Sequence, residues 1–180
     1  LYPASTGAPI NGMAMDANLE TFADVLAENG YSTTYVGKWH LAGVPKLRGR
    51  MFYEPGYSFG WQDRRFMFES DHEKWYKVVE EPDGYHYSTD FLTDKAIELL
   101  SQRDERPFCL MLSIPDPHSP DLCQDPYVSQ YAGIELKTPE TNSKELLDMR
   151  PGWGVGGKAQ AERFEPGKVK NYFAMVKCID

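Results

Sequence analysis

Apolar side chains recur at Leu19, Phe22, Ala23 and Leu26, an i, i+3, i+4, i+7 spacing that lines one face of a helix. Asp16 or Asn18 stands where it can cap the start, and Gly30 suits the left-handed residue just past the end. The six residues that follow, Tyr31-Ser32-Thr33-Thr34-Tyr35-Val36, are β-rich and short, which predicts a buried strand. A second helix is predicted after Ser88 or Thr89, with Leu92, Ala96 and Leu99 along one side. Beyond a turn at Arg106-Pro107, residues 108–114 are apolar on both faces, the pattern of a central parallel strand. Pro115, Pro117 and Pro120 end that run abruptly. Val169, Tyr172, Phe173, Val176 and Ile179 predict a last amphipathic helix. Helices alternating with strands, one strand apolar on both sides, predict an α/β domain with helices on both faces of its sheet.

Other stretches carry weaker patterns. Residues 1–11 are rich in Pro, Gly, Ser and Thr and read as loop, as do most of residues 119–167. Residues 44–87 form an aromatic-rich insertion in which short pairs such as Lys77-Val78-Val79 suit hairpin strands. Such aromatics more often pack than bind. The Gly-rich run Trp153-Gly154-Val155-Gly156-Gly157 follows no predicted strand and lacks a Lys-Ser/Thr pair, so no nucleotide role is assigned to it.

Charge narrows the function classes. The 180 residues carry a formal net charge of -8, with 27 acidic against 19 basic side chains, which argues against nucleic acid as a partner. Cys109, Cys123 and Cys178 are too few and too scattered for a metal spacing or a complete disulfide framework. No stretch is apolar and long enough to span a membrane.

Two segments that leave the carboxyl ends of predicted strands carry candidate chemistry, because ligands of open α/β sheets bind at that edge. The first is Gly37-Lys38-Trp39-His40-Leu41. In extended backbone Lys38 and His40 share a side and Trp39 takes the other. A cation beside an imidazole suits an anionic substrate. The second is Pro115-Asp116-Pro117-His118-Ser119-Pro120, whose prolines restrict the backbone around His118. A histidine at a strand end is more often a structural hydrogen-bonder than a catalyst. The pattern alone describes an anion-binding α/β domain without an assigned activity.

Residues 30–41, from Gly30-Tyr31 through Gly37-Lys38-Trp39-His40-Leu41, resemble a long signature of the formylglycine-dependent, calcium-using sulfatases. Leu1-Tyr2-Pro3 through Gly7 resembles the stretch that follows that family's first signature. Residues 107–120 resemble its buried strand and Pro-His-x-Pro motif, and residues 169–180 the helix before its later metal-binding strand. The resemblance implies an alkaline-phosphatase-like sheet with helices on both faces, of which residues 1–180 form a partial catalytic domain. The segment with nucleophile and metal, and a C-terminal part, are then expected outside these residues.

The resemblance further implies hydrolysis of a small-molecule or carbohydrate sulfate ester by a formylglycine made in a Cys-x-Pro-x-Arg motif. None of the three cysteines stands in that motif. Lys38 would bind a sulfate oxygen, His40 would hydrogen-bond the formylglycine hydrate and act as base for its collapse, and His118 would bind sulfate and protonate the leaving oxygen. Tyr57, Trp61 and Trp75 are candidates for shaping the leaving-group pocket, whereas Asp116 is assigned no role. Calcium is expected in the full-length enzyme with all ligands elsewhere, so no metal ligand is assigned within these residues and they are expected to be inactive alone. Phosphate or phosphonate ester hydrolysis, and non-catalytic binding of sulfated ligands, stay open as alternatives. The family's settings are periplasmic, lysosomal or secreted, and neither compartment nor oligomeric state follows from the residues.

Overall fold

Helix α1 (Phe22–Glu28) begins where a capping box closes. Thr21 Oγ1 accepts the Asp24 backbone N–H at 3.2 Å, and the Asp24 carboxylate accepts the Thr21 N–H at 2.8 Å. Two donors left unpaired by the first helical turn are thereby satisfied. The start expected at Asp16 or Asn18 is corrected accordingly. Asp16 accepts the Asn18 N–H at 2.9 Å, a local turn ahead of the helix, and Leu19 lies outside it. Gly30 follows the helix with φ 85°, in the left-handed region its position suggested.

The computed structural model describes residues 2–10, 13–41, 58–68, 74–77, 84–143, 145, 149 and 164–180. Much of the aromatic insertion assigned to residues 44–87 lies outside these residues, as do Tyr57, Val78, Val79 and the Gly-rich run 153–157. Two compact units divide the chain, Leu1–Pro120 and Asp121–Asp180.

In the first unit, strands β1 (Ser32–Lys38), β2 (Asp63–Phe68) and β5 (Phe108–Ser113) form a parallel sheet in the order β2-β1-β5. Strands β3 (Trp75–Lys77) and β4 (Tyr85–Tyr87) pair antiparallel in a separate ribbon. Helix α2 (Ser88–Ser101) runs between β4 and β5. Ser88 and Thr89 do not cap it, since Tyr87 holds the N-cap position and both residues are buried in the first turn.

Consecutive residues of a strand point to opposite faces, and β1 and β2 each show this with a buried pair. Tyr35 and Met67 join Ala23 of α1 with Phe59 and Trp61 in one cluster, while Val36 and Phe68 join Phe91, Leu92 and Leu99 of α2 in another. The sheet thus has α1 on one face and α2 on the other, the α/β arrangement predicted.

Burial along β5 differs from the prediction. None of its residues is fully buried, and Phe108 and Met111 are 47% and 43% exposed. Among the described residues β5 pairs only with β1, so it is an edge strand and β1 is the central one. Apolarity on both faces signalled a covered strand, but sheet position decides how much of each side chain is covered.

The second unit contains α3 (Tyr127–Tyr131), a 3-10 turn (Glu140–Asn142) and α4 (Pro166–Ile179). The short helix interrupts what was predicted as loop, its first turn held by Asp125 Oδ1, which accepts the Ser129 N–H at 3.1 Å. Tyr131 and Phe173 rings lie 5.9 Å apart, and Lys170 donates to the Ala132 carbonyl at 2.8 Å. The stripe buried on α4 is Ala174, Met175 and Cys178, whereas Tyr172, Phe173, Val176 and Ile179 stay substantially exposed. Both stripes have helical spacing, and the larger side chains drew the prediction to the wrong one.

Candidate functional site

Strands β1 and β5 run parallel and adjacent with Gly37 opposite Ser113, so both leave the sheet at the same carboxyl edge. Lys38 is the last residue of β1, and His118 lies in the turn that follows β5. Three ties fix the path out of β1. The Tyr35 hydroxyl donates to the Lys38 carbonyl at 2.6 Å, the Trp39 N–H donates to the Phe68 carbonyl at 2.7 Å, and the Met15 N–H donates to the Leu41 carbonyl at 2.8 Å.

Trp39 turns into the α1 side of the sheet. Its ring stacks on Phe59 at 5.3 Å and meets Tyr35 edge-on at 5.3 Å. Its indole Nε1 is buried without a hydrogen-bond partner among the described residues. His40 has φ 59°, in the left-handed region. Extended alternation therefore does not relate Lys38 to His40, because the strand ends at Lys38 and the backbone turns at His40. A bulky residue in that region is unusual, and such backbone is concentrated at functional sites. Both side chains are half-buried.

His118 is exposed, with its backbone anchored beneath it. Its N–H donates to the Pro115 carbonyl at 3.0 Å, and Nδ1 lies 2.8 Å from the Ser119 carbonyl. A carbonyl only accepts, so Nδ1 carries the proton there and Nε2 is the acceptor nitrogen of the neutral ring.

Sequence reasoning missed what lies under this turn. The Asp116 carboxylate is buried and accepts from the Tyr87 hydroxyl at 2.6 Å, from the Thr89 hydroxyl at 2.8 Å and from the Lys74 ammonium. Lys74 also donates to the His118 carbonyl at 2.8 Å, and its side chain is only 2% exposed. The partners are 42 residues apart, and no local spacing marks the pair.

Trp61 is 2% exposed and lies edge-on to Phe22 and Tyr35, at 5.5 and 5.2 Å. With Thr6, Met15, Trp39 and Met111 it borders a cleft of about 400 Å³ on the α1 side of the sheet. Tyr57 lies outside the described residues, as does the side chain of Trp75. Among the described residues no three His, Cys, Asp or Glu side chains gather into a group that fits a metal ion. Among the described residues no disulfide joins Cys109, Cys123 and Cys178.

The chain is 31% identical over 129 residues to an N-acetylglucosamine-6-O-sulfatase of Bacteroides thetaiotaomicron, a match covering 65% of the chain and 20% of that protein. It is 27% identical over 193 residues to an ulvan-active sulfatase of Formosa agariphila, covering 99% of the chain and 33% of that protein. The chain thus spans a third or less of the length of these curated relatives. A solved structure of a protein with its substrate D-glucosamine-2-N,6-O-disulfate superimposes with TM-score 0.57 and 25% identity, covering 78% of the chain and 27% of its own. The structure of Ps i-CgsB with a neocarrahexaose superimposes with TM-score 0.64 over 99% of the chain and 39% of its own; at 17% identity it speaks for the fold. The sulfatase family profile matches residues 4–180, from the first turn through α4 and including both candidate segments, and this chain belongs to the sulfatase family.

Proposed function

We propose that Lys38, His40 and His118 form part of a site that hydrolyses sulfate esters, with a sugar sulfate as the substrate class. The observation that carries this reading is the departure of both candidate segments from one carboxyl edge, at paired parallel strands, in a sulfatase-family chain. Family membership supports sulfate ester hydrolysis in general. The sugar class is supported by the names of two relatives, an N-acetylglucosamine-6-O-sulfatase and an ulvan-active sulfatase.

Lys38 offsets the negative charge that the sulfate oxygens carry while the ester bond breaks. His118 gives a proton to the departing oxygen from Nε2 once its ring is cationic, while Nδ1–H stays on the Ser119 carbonyl. His40 exchanges a proton with the attacking group. A formylglycine hydrate, expected outside these residues, would supply the nucleophile. The calcium implied by the resemblance, with its ligands expected outside these residues, enters no step described here. Trp61 and Tyr57 belong to the leaving-group side of this proposal. Trp61 borders the cleft on the α1 side of the sheet.

The test is a paired assay of the full-length gene product on one aryl alcohol, as its sulfate and as its phosphate. Faster sulfate turnover, lost in Lys38→Ala, is the expected result. Preferred phosphate turnover would make the protein a phosphoester hydrolase. Tight binding of a sulfated sugar without turnover of either ester would make it a non-catalytic binder.

A further inference from the structure

We propose that the buried pair of Lys74 and Asp116 positions His118 for proton transfer to the leaving oxygen, an assignment that rests on the function proposed above. Asp116 lies two residues before His118, and its carboxylate faces inward under the turn. Lys74 bridges the turn from below, donating to the Asp116 carboxylate and to the His118 carbonyl. Tyr87 and Thr89, from the junction of β4 and α2, hold the second carboxylate oxygen. Lys74 is itself tied to that junction, because its carbonyl accepts the Ser88 N–H at 2.7 Å.

His118 is therefore gripped at its amide, at its carbonyl and at Nδ1, while its ring faces outward. A general acid needs that combination, an immobile backbone and an accessible ring, since misplacement by an ångström alone costs rate. Stability does not account for the pair equally well. A buried ion pair is often no better for stability than apolar residues of the same volume, and its best-attested use is to hold one geometry. Here the geometry held is that of the turn bearing His118. Asp116 and Lys74 are thus positioning residues.

The experiment compares an activated aryl sulfate with an alkyl sulfate on the full-length gene product carrying Asp116→Asn, and separately Tyr87→Phe. A displaced acid slows the alkyl ester more, by roughly 10²-fold relative to the aryl ester for Asp116→Asn. That selective loss should vanish in a His118→Ala background, because the residues act as a unit. Equal losses on both esters, or losses that persist without His118, overturn the proposal. Should Asp116→Asn fail to fold, Tyr87→Phe decides by the same ratio, since it removes one hydroxyl and keeps the ring. Should the wild-type protein turn over no sulfate ester, the function proposed above fails. The positioning claim is then read from the ¹⁵N shifts of the His118 ring. Loss of the Nδ1-protonated tautomer in Tyr87→Phe supports it, and an unchanged ring overturns it.

Discussion

Gly37 of β1 lies so close to Ser113 of β5 that a Cβ on Gly37 would stand 2.1 Å from the Ser113 carbonyl oxygen. Gly37 also has φ 106°, a conformation that side chains resist. The contact sits one residue before Lys38 and at the end of the strand that leads to His118. It therefore sets the spacing of the two segments that carry the candidate chemistry.

Gly37→Ala meets both obstacles at once, and the atom in the way is backbone, which cannot swing aside. Strained backbone and an overfilled contact each cost about 1–3 kcal/mol. A urea titration should show a lower midpoint with an unchanged slope. An unchanged midpoint would mean that the two strands separate readily at this edge.

Thr21 has two jobs, capping α1 and donating from its hydroxyl to the Phe59 carbonyl at 2.8 Å. Thr21→Ala removes both and should cost about 1–2 kcal/mol, the upper part of the range for caps. Thr21→Ser keeps the hydroxyl and should restore most of it. Equal losses in Ala and Ser variants, read by thermal melting, would assign the effect to the missing methyl group.

Legibility followed the range of the interactions. Gly30, β1, α2 and the departure of both histidine segments from strand ends were readable, because each is encoded by a spacing of a few residues. The start of α1 was misread since the Thr21–Asp24 box outweighs an apolar residue at 19, a contest that periodicity alone does not register. The burial of β5 and the buried stripe of α4 depend on which elements stand next to them, and a single strand or helix does not encode its neighbours. The pair of Lys74 and Asp116 was invisible for the same reason, with 42 residues between its members. At His40 the alternation rule failed at the point where the strand ends and the backbone turns left-handed.

Burial also ranks two apolar truncations that sequence would treat alike. Leu92 is 0% exposed between the sheet and α2, whereas Phe108 on β5 is 47% exposed under the Arg103 guanidinium. Leu92→Ala should cost about 2–5 kcal/mol, by lost transfer energy and a cavity. Phe108→Ala should cost clearly less despite removing the larger side chain. Reversal of that order in urea melts would show β5 to be covered in the full-length protein.

Lys38 and His118 should separate by their response to the leaving group. The charge that Lys38 offsets sits on sulfate oxygens that every substrate shares, so Lys38→Ala should slow aryl and alkyl sulfates alike. A lost donor to developing charge costs on the order of 10²–10³-fold. The proton from His118 goes to the oxygen that differs between substrates. A departing phenolate is stable without it, whereas a departing alkoxide is not, so His118→Ala should spare the aryl ester and slow the alkyl ester by about 10²–10⁴-fold. Plotting log rate against the leaving-group pKa makes the contrast quantitative. The Lys38→Ala line should fall parallel to the wild type, and the His118→Ala line should steepen. Parallel lines for both variants would leave His118 as a second sulfate-binding group and put the proton donor elsewhere.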